Sequence, residues 1–496
     1  MTPYQTLEAR FRRTALLGEA QAMLNWDSAT LMPEGAAPAR AEQVALLKVL
    51  SHEMLTAPDT GDLLAAAEGE TGLDRWRRAN LREMRRQWLH ATAVPPELVE
   101  AFTKACSICE MVWRKARPAA DFALVRPALE EVLRLVRELA AAKAARLGKD
   151  PYEALLDEYE PDGGTAAIDR LFDELAAMLP SLIEQVLARQ QAQKPPLSLG
   201  GPFPVEQQRR LGVELMHRLG FDFDHGRLDI SLHPFCGGTP DDVRITTRYD
   251  EADFTRALMG VLHETGHALY ERGLPAQWRH QPVGTARGMS LHESQSLLVE
   301  MQACRSREFL EFAAPILRKA FDGRGPAWDA DNLHRLYTRV ARSYIRVDAD
   351  EVTYPAHVIL RYRLERAMIA GDLPLADLPA AWNAGMKELI GIAPPSDREG
   401  CLQDIHWYDG SWGYFPTYTL GAMTAAQLFA AAKRADPSIL PSIAKGDFTP
   451  LLAWLRANVH GLGSLLSTDQ LIRQATGAPL DATVFEAHLR ERYLVD

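Results

Sequence analysis

The sequence contains few cysteines for its length, which bears on the compartment in which the protein works. Its 496 residues include five, namely Cys106, Cys109, Cys236, Cys304 and Cys401. An odd and sparse set does not suit a disulfide framework and predicts a reducing compartment. Cys106 and Cys109 form a C-x-x-C pattern without a second pair, so a pair on one helix face is the favoured interpretation.

Long apolar runs and an excess of positive charge are also absent. No stretch is apolar and long enough to span a bilayer, and the N-terminal segment carries charges throughout, so we expect neither a membrane anchor nor a signal peptide. The 66 acidic and 55 basic side chains give a net charge of -11. This balance argues against binding of a phosphate backbone, and we expect no nucleic-acid partner.

The chain is otherwise typical of a globular protein and is mostly helical in pattern. It is 47% hydrophobic and 24% charged, and its length as a prior suits about three average domains. Apolar residues recur at helical spacing up to about residue 192 and again from Ser290 to the end. Breaks are predicted at residues 32–35, 95–96 and 160–164. The Pro- and Gly-rich residues 194–204 form either a domain linker or a long loop.

The most informative stretch is His263-Glu-Thr-Gly-His267, an H-E-x-x-H motif. Two histidines four residues apart lie on one helix face and can reach one ion, while Glu264 between them can touch a water held by that ion. Apolar residues at helical spacing surround the motif, Asp250 or Asp253 could cap the helix, and Gly273 ends it. The alternative is two helix histidines with an accidental glutamate. The pattern favours a zinc hydrolase.

Two short strands are predicted immediately before this helix. Residues 228–235 and 242–249 alternate as strands do, and they flank a predicted turn at residues 236–240. This is the only convincing β-pair in the sequence. As a hypothesis, its edge could hold the backbone of a peptide by strand addition.

A catalytic zinc site needs a third protein ligand. The metzincin class would place a histidine at the sixth position after His267, and that position is Gly273, which excludes the class. Glu293 is the best candidate, and His292 and Glu300 are weaker ones. Residues 290–293 also fit a capping box, in which Glu293 would bond back to the helix start.

One irregular stretch, from residue 391 to about residue 419, is rich in Gly, Pro, Trp and Tyr. Such a loop is more typical of a pocket wall than of a plain connector.

Motifs along nearly the whole chain together resemble the carboxypeptidase Taq family of metallocarboxypeptidases. The H-E-x-x-H motif is followed by His292-Glu-Ser-Gln295, and the early Trp26-Asp27, Met32-Pro33, Arg40 and Gln43 also agree. The other motifs are His233-Pro-Phe235, Asp242-Val-Arg-Ile-Thr246, Ile345-Arg-Val-Asp-Ala-Asp-Glu-Val-Thr-Tyr354 and Gly400-Cys-Leu-Gln-Asp-Ile-His-Trp407.

The resemblance implies a mainly α fold like that of neurolysin and angiotensin-converting enzyme. Two helical lobes would flank a deep groove, with a small β-sheet beside the metal site. Residues 1–496 would form a single peptidase domain, with a mostly helical part at 1–194 and the zinc site and substrate groove in 205–496. The family implies a cytoplasmic homodimer that holds one Zn²⁺, or Co²⁺, per chain. It would release single C-terminal residues from peptide substrates with broad specificity and little action at proline.

The expected metal ligands are His263, His267 and, favoured by the resemblance, Glu293. Glu264 is expected to act as general base, taking a proton from the water that zinc activates and giving it to the leaving amine. The resemblance adds His406 and Tyr414 as donors to the oxyanion. Two other tyrosines of the same stretch compete with Tyr414, namely Tyr408 and Tyr418.

A carboxypeptidase must also bind the terminal carboxylate of its substrate, which calls for an arginine. The family motifs offer Arg346 and Arg244, with His233 as a further substrate-binding residue. The alternative for Arg346 is a structural ion pair with the nearby acids Asp348, Asp350 and Glu351. Asp350 is also a candidate partner for a ligand histidine.

Three rival functions remain at this point. The first is an oligopeptidase that cuts internal bonds, and the second is a non-catalytic peptide-binding scaffold with a vestigial zinc site. The third, a zinc protein linked to nucleic acid, is disfavoured by the acidic balance of the chain.

Overall fold

Helices fill the chain before the sheet, as the apolar spacing predicts, and the predicted breaks fall at their ends. A computed structural model describes residues 1–495. Proline in the first turn begins α1, α2, α5 and α7, where its missing N–H has no helical partner to lose. The helices are α1 (Pro3–Thr30), α2 (Ala37–Leu55), α3 (Thr60–Glu68), α4 (Arg75–Thr92), α5 (Pro96–Ala119), α6 (Phe122–Leu147), α7 (Pro151–Leu156), α8 (Thr165–Ala192) and α9 (Val205–Arg218).

The sheet has three strands where two were predicted. Its strands are β1 (Gly226–Ile230), β2 (Cys236–Thr239) and β3 (Asp242–Thr247), in the order β1-β3-β2. β1 runs parallel to β3, and β2 pairs with β3 in antiparallel register. The prediction of a turn at residues 236–240 was therefore wrong, because most of that segment is β2. Its glycines suggested a turn, but Gly238, with φ of +86°, lies in the paired strand opposite Val243.

Helices return after the sheet and continue to Leu494. Helix α11 runs on into a π-helical turn at Leu298–Ala303. The predicted irregular stretch begins after α15 and ends at α17, interrupted by the single turn α16. The helices are α10 (Phe254–Gly273), α11 (Met289–Leu297), α12 (Arg307–Ala320), α13 (Ala330–Tyr337), α14 (Tyr354–Ala370), α15 (Leu378–Ile390), α16 (His406–Asp409), α17 (Pro416–Ala435), α18 (Ile439–Ile443), α19 (Thr449–Asn458), α20 (Thr468–Thr476) and α21 (Ala482–Leu494).

Residues 194–204 form a long loop that is tied to the rest of the protein. The amide of Leu197 donates to Asn332 Oδ1 at 2.7 Å, and the amide of Phe203 donates to the carbonyl of Glu251 at 2.8 Å. The Phe203 ring is buried against Phe254. Of the two interpretations left open by the sequence, the long loop is the one observed.

Two large cores lie on either side of helix α17. The first core joins α5, α6 and α8 to α14, α15 and α21, and also buries the aromatic stretch around Trp407 and Trp412. The second core contains α9 to α13 and α18 to α20. Helix α17 contributes Met423 to the first core and Leu428 to the second. The predicted mainly α fold with a small sheet is confirmed, and within residues 1–495 no helix has both the length and the apolar character needed to cross a membrane.

Candidate metal centre

Helix α10 carries the H-E-x-x-H motif on its partly buried face. Asp253 caps the helix by accepting from the amide of Thr255 at 2.8 Å, and the helix ends at Gly273, both as predicted. The ring centroids of His263 and His267 are 5.0 Å apart, as expected for residues one turn apart on the same face. The motif is therefore built on a rigid helix whose apolar residues pack in the second core.

Helix α11 approaches α10 closely because the motif contains a glycine. A Cβ atom at Gly266 would lie 2.5 Å from the carbonyl oxygen of Gln295 and 2.6 Å from Ser296 Cα. A second glycine, Gly421 on α17, lies against Glu293, where an added Cβ would come within 2.9 Å of the Glu293 Cβ. The absence of a side chain at Gly266 and at Gly421 therefore lets α10 and α17 lie directly against α11, the helix that carries Glu293.

The side chains of His263, His267 and Glu293 converge on one point. Their ligand atoms all lie within 4.8 Å of one another. Glu293 Oε2 is 3.4 Å from His267 Nε2 and 3.8 Å from His263 Nε2. Ligands of a tetrahedral zinc ion are separated by about 3.3 Å, so two nitrogens and one oxygen in this arrangement fit such an ion with little movement.

The other nitrogen of each histidine has a partner that fixes the ring. His263 Nδ1 lies 3.0 Å from Glu300 Oε2, and His267 Nδ1 lies 3.1 Å from the carbonyl oxygen of His292. Such contacts orient the rings of metal-binding histidines and select their tautomer. Both Nε2 atoms consequently face Glu293. Glu300, considered from the sequence as a weaker ligand, instead contacts the remote nitrogen of His263.

Three alternatives raised by the sequence do not match the observed contacts. Helix α11 begins after Gly288, and no side chain caps it, so the capping box at residues 290–293 is not formed. His292 Nε2 pairs with Glu271 Oε1 at 2.8 Å. Asp350 accepts from the amides of Ala341, Val352 and Thr353, so it holds a backbone turn and not a histidine ring.

The centre is rich in carboxylates, which favours a positive charge there. Burial alone would lower the pKa of His263, but Glu293 and Glu300 raise it to about 10. Burial and the neighbouring His292 lower the pKa of His267 to about 4, against the opposing effect of Glu293. The imidazole of His267 is therefore available as a neutral donor at neutral pH, and a cation would replace a proton on His263.

Glu264 has the properties of a proton acceptor that works near neutral pH. Glu264 is 8% exposed. Burial raises the pKa of Glu264 to about 7, with His263 and His292 lowering it and the carboxylates of Glu293 and Glu300 raising it. A general base performs best with a pKa near the working pH.

Two arginines and one aspartate form a buried cluster close to the candidate metal centre. Asp404 accepts from Arg346 Nε at 3.0 Å and Nη2 at 2.9 Å, and from Arg361 Nε at 2.5 Å. Arg346 Nη1 also donates to Tyr354 Oη at 2.7 Å. Its ion-pair partner is thus Asp404, in place of the acids suggested from the sequence. Two guanidinium groups against one carboxylate leave one net positive charge.

The aromatic stretch places His406 among the tyrosines of the same region. His406 Nε2 lies 3.2 Å from Tyr418 Oη, and the rings of Tyr414 and Tyr418 are 5.2 Å apart. Burial raises the pKa of Tyr414 to about 12, and the Glu293 carboxylate adds to the effect. Tyr408 is fully buried, and its hydroxyl donates to the carbonyl of Cys401, which removes it from the competing set.

The remaining predicted substrate-binding residues lie on or beside the sheet. Arg244 belongs to β3, pairs with Asp242 at 2.6 Å, and places its Cζ 4.3 Å from the centroid of the Trp26 ring. His233 is exposed in the segment between β1 and β2. The thiol of Cys236, at the start of β2, has a pKa raised by burial and by the Glu264 carboxylate, so this end of the sheet lies near the centre.

Comparison with known proteins identifies the group to which this arrangement belongs. A family model described as carboxypeptidase Taq (M32) metallopeptidase matches residues 6–493. The chain belongs to the carboxypeptidase Taq family. Thermostable carboxypeptidase 1 of Thermus thermophilus is 39% identical over 508 aligned residues that cover 99% of each chain.

Solved structures agree with this membership. Metallocarboxypeptidase 1 of Trypanosoma cruzi has 43% sequence identity and a TM-score of 0.97, with 99% of each chain covered. An M32 carboxypeptidase from Deinococcus radiodurans has 37% identity and a TM-score of 0.93, covering 99% of this chain and 98% of that one. The predicted family is confirmed, and so is the predicted class of metallocarboxypeptidase, a peptide hydrolase.

One residue that holds the site of this M32 peptidase together was missed from the sequence. Glu365 on α14 is fully buried. Its Oε1 accepts from Tyr152 Oη at 2.8 Å and from the amide of Gly413 at 2.7 Å, and its Oε2 accepts from Trp407 Nε1 at 2.7 Å. It therefore pins the loop between His406 and Tyr414. The available signal was a charged residue inside the apolar pattern of α14.

We expect Glu365→Gln to lower kcat about tenfold or more, because the hydrogen bond from the Trp407 indole to Glu365 Oε2 would be lost and two N–H groups would face each other in its place. The amide can still accept from Tyr152 and Gly413, but its NH₂ group faces the indole N–H of Trp407. Steady-state kinetics and denaturant unfolding on the variant test this. The control is Glu388→Gln, which replaces an exposed side chain on α15. If the Glu365→Gln enzyme is as active as this control, Glu365 does not hold the loop in a way that matters for catalysis.

Proposed function

We propose that this M32 peptidase is a zinc-dependent carboxypeptidase that releases single C-terminal amino acids from peptides. Broad side-chain preference and poor action at proline are part of the proposal. The observation that carries it is the convergence of His263, His267 and Glu293 beside the buried Glu264. Two imidazoles and one carboxylate with a flanking acid form the donor set of zinc hydrolases, and Co²⁺ suits the same donors. One ion per chain would be held.

The chemistry follows from the environment of each residue. When bound, the metal would act as a Lewis acid that lowers the pKa of water to about 7 and polarises the scissile carbonyl. Glu264, with a pKa of about 7, would take a proton from the attacking water at its carboxylate and then deliver it to the leaving amine. Glu300 would keep His263 in the tautomer that leaves Nε2 free for the ion.

Hydrogen-bond donors are needed where negative charge develops on the scissile oxygen. Tyr414 remains a protonated donor at neutral pH because its pKa is about 12. Burial lowers the pKa of His406 to about 4, so this ring is neutral and carries one N–H. We assign the donor role to Tyr414 and His406, and Tyr418, which lies 3.2 Å from His406, is the remaining competitor.

The carboxylate of the substrate would be bound by Arg346. The guanidinium uses three of its five N–H groups on Asp404 and Tyr354, which leaves two for a ligand. The phenol of Tyr354 lies within the electrostatic reach of Glu293, so this arginine is near the metal ligands. Arg244 and His233 are then assigned to the remainder of the peptide, along the sheet.

We also propose that the protein is a homodimer in the cytoplasm. Helix α2 has no buried residue, and Leu46 and Val49 on it are exposed, which offers an apolar face for a second copy. The five cysteines are all free thiols, as a reducing compartment requires. One peptidase domain spanning residues 1–496 is consistent with a first core that combines helices from before and after residues 194–204.

Hydrolysis of a blocked dipeptide and of its C-terminal amide, with and without a chelator, tests the proposal. We expect the free acid to be cleaved at least about tenfold faster than the amide, because the amide lacks the charge that Arg346 would bind. A chelator should abolish the activity, and added zinc or cobalt should restore it. Release of one amino acid at a time from a longer peptide, read by mass spectrometry, checks the single-residue mode.

Other outcomes select among the rivals. Equal cleavage of acid and amide would retain the metal centre and favour an oligopeptidase that cuts internal bonds. Absence of any cleavage in protein that binds one metal ion per chain would favour a peptide-binding scaffold.

A further inference from the structure

The π-helical turn at Leu298–Ala303 carries the contact that orients His263. The amide of Cys304 donates to the carbonyl of Val299 at 2.8 Å, a span of five residues. Such turns are rare and often occur at functional sites. Glu300 lies within the turn, with Oε2 at 3.0 Å from His263 Nδ1 and Oε1 at 2.6 Å from Arg305 Nη2. The shape of this turn therefore determines where Glu300 meets the histidine.

The end of the turn is held by a side chain from α21, the last helix within residues 1–495. Carbonyl groups in the final turn of a helix have no partner within the helix. Arg492 on α21 donates from Nη1 to the carbonyl of Met301 and from Nη2 to that of Gln302, the latter at 3.2 Å. The side chain of Arg492 is 9% exposed. A nearly buried guanidinium thus supplies the donors that the turn lacks.

A buried carboxylate fixes Arg492 in place. Glu351 accepts from Arg492 Nη1 at 2.9 Å and from Tyr493 Oη at 3.0 Å through Oε2. Its Oε1 lies 2.8 Å from His488 Nε2 and accepts from Gln302 Nε2 at 3.1 Å. Three side chains of α21 and one of the π-helical turn therefore meet on the same group. Burial opposes the charge on Glu351, but Arg492 and His488 hold its pKa well below the usual range.

We propose that helix α21 is a positioning element for the metal centre, and that Arg492 holds the π-helical turn in the shape that presents Glu300 to His263. The proposal rests on the proposed role of His263 as a ligand. Without Arg492, two buried carbonyls and Glu351 lose a charged donor, and the turn would relax to recover hydrogen bonds. Glu300 would then shift, and His263 would lose the partner that fixes its ring.

The metal dissociation constant tests this role, because a purely structural helix would not change it in folded protein. Competition with a chromophoric chelator gives the constant for Zn²⁺ in wild type, Arg492→Gln, Arg492→Lys and Tyr493→Phe. Loss of a partner around a ligand histidine weakens metal binding about 10- to 100-fold. We expect about tenfold for Arg492→Gln, partial recovery in Arg492→Lys, and a smaller loss of about threefold in Tyr493→Phe.

Arg490→Gln provides the matched control on the same helix. The Arg490 side chain is 41% exposed and pairs with Glu486 at 2.8 Å, so its removal should leave the dissociation constant unchanged. Thermal unfolding of each variant without added metal separates affinity from general stability. If Arg492→Gln does not fold, Tyr493→Phe decides the question, since it removes a single hydroxyl.

Two results would separate failure of this inference from failure of the proposed function. In the first, wild type binds Zn²⁺ tightly, and the dissociation constant of Arg492→Gln equals that of the control Arg490→Gln. If Arg492→Gln does not fold, the same comparison is made with Tyr493→Phe. This result would overturn the role of α21 and leave the proposed metal centre in place. Wild type that does not bind one Zn²⁺ per chain would overturn the proposed metal centre and, with it, this inference.

Discussion

Replacing Glu264 by glutamine is expected to lower kcat by about 10²–10⁴-fold while the protein still binds its metal. Glutamine has the size of glutamate and fits the same buried position, but it cannot take a proton from water. Burial raises the pKa of Glu264 to about 7, and the substitution removes the carboxylate that can accept a proton near neutral pH. The measurement is kcat on a free-acid peptide, with metal content determined by elemental analysis of the same sample.

The control for this variant is Glu271→Gln on the same helix. Glu271 is a partly exposed acid that pairs with His292 Nε2, a bond that glutamine can still accept. We expect activity within a few-fold of wild type for this change, in line with a hydrogen bond that is retained. More than a tenth of wild-type activity in Glu264→Gln would refute the assignment of the base, and loss of metal from that variant would show that the substitution acts through binding.

The second large effect is expected for Arg346→Gln, in the preference for a free carboxylate. A charge-assisted hydrogen bond to the substrate is worth about 1.5–3 kcal/mol, so kcat/KM for a free-acid peptide should fall about 10- to 100-fold. Hydrolysis of the matching C-terminal amide should change little, because the amide carries no charge. The ratio of the two kcat/KM values is therefore the quantity to measure.

Arg244→Gln is the matched control, because Arg244 is the other arginine that the family motifs offer. It pairs with Asp242 on β3, away from the Arg346–Asp404–Arg361 cluster. A loss of acid preference in Arg244→Gln and not in Arg346→Gln would transfer the carboxylate site to Arg244. Equal losses on acid and amide in Arg346→Gln would indicate that breaking the buried ion pair had disturbed the site as a whole.

Local sequence patterns were sufficient to predict the candidate metal centre. Two histidines four residues apart meet on a helix face whatever the fold, and an aspartate cap with a terminal glycine bounds that helix. Glu293 could be nominated as the third ligand because a turn and a return helix suffice to bring it back. The family motifs extended this local information to a mainly α fold, which the structure confirms.

Local patterns failed where a short segment suited more than one conformation. Residues 236–240 contain two glycines and a proline, which favour a turn, yet pairing with β3 makes most of the segment a strand. The ion pair of Arg346 was sought among acids close in sequence, whereas Asp404 lies 58 residues away. Asp350 was considered for a histidine and instead holds backbone amides of its own turn.

By itself, then, the sequence determined the helical class, the family, and the residues that its motifs nominate for metal and base. Only the tertiary structure decided which side chains support them. Glu300 contacts His263, Glu365 holds the aromatic loop, and Glu351 holds Arg492 of helix α21. The physical reason is that a buried charge is stable only when distant segments supply its partners. The spacing of residues along the chain does not predict these contacts, because they depend on how whole helices pack against one another.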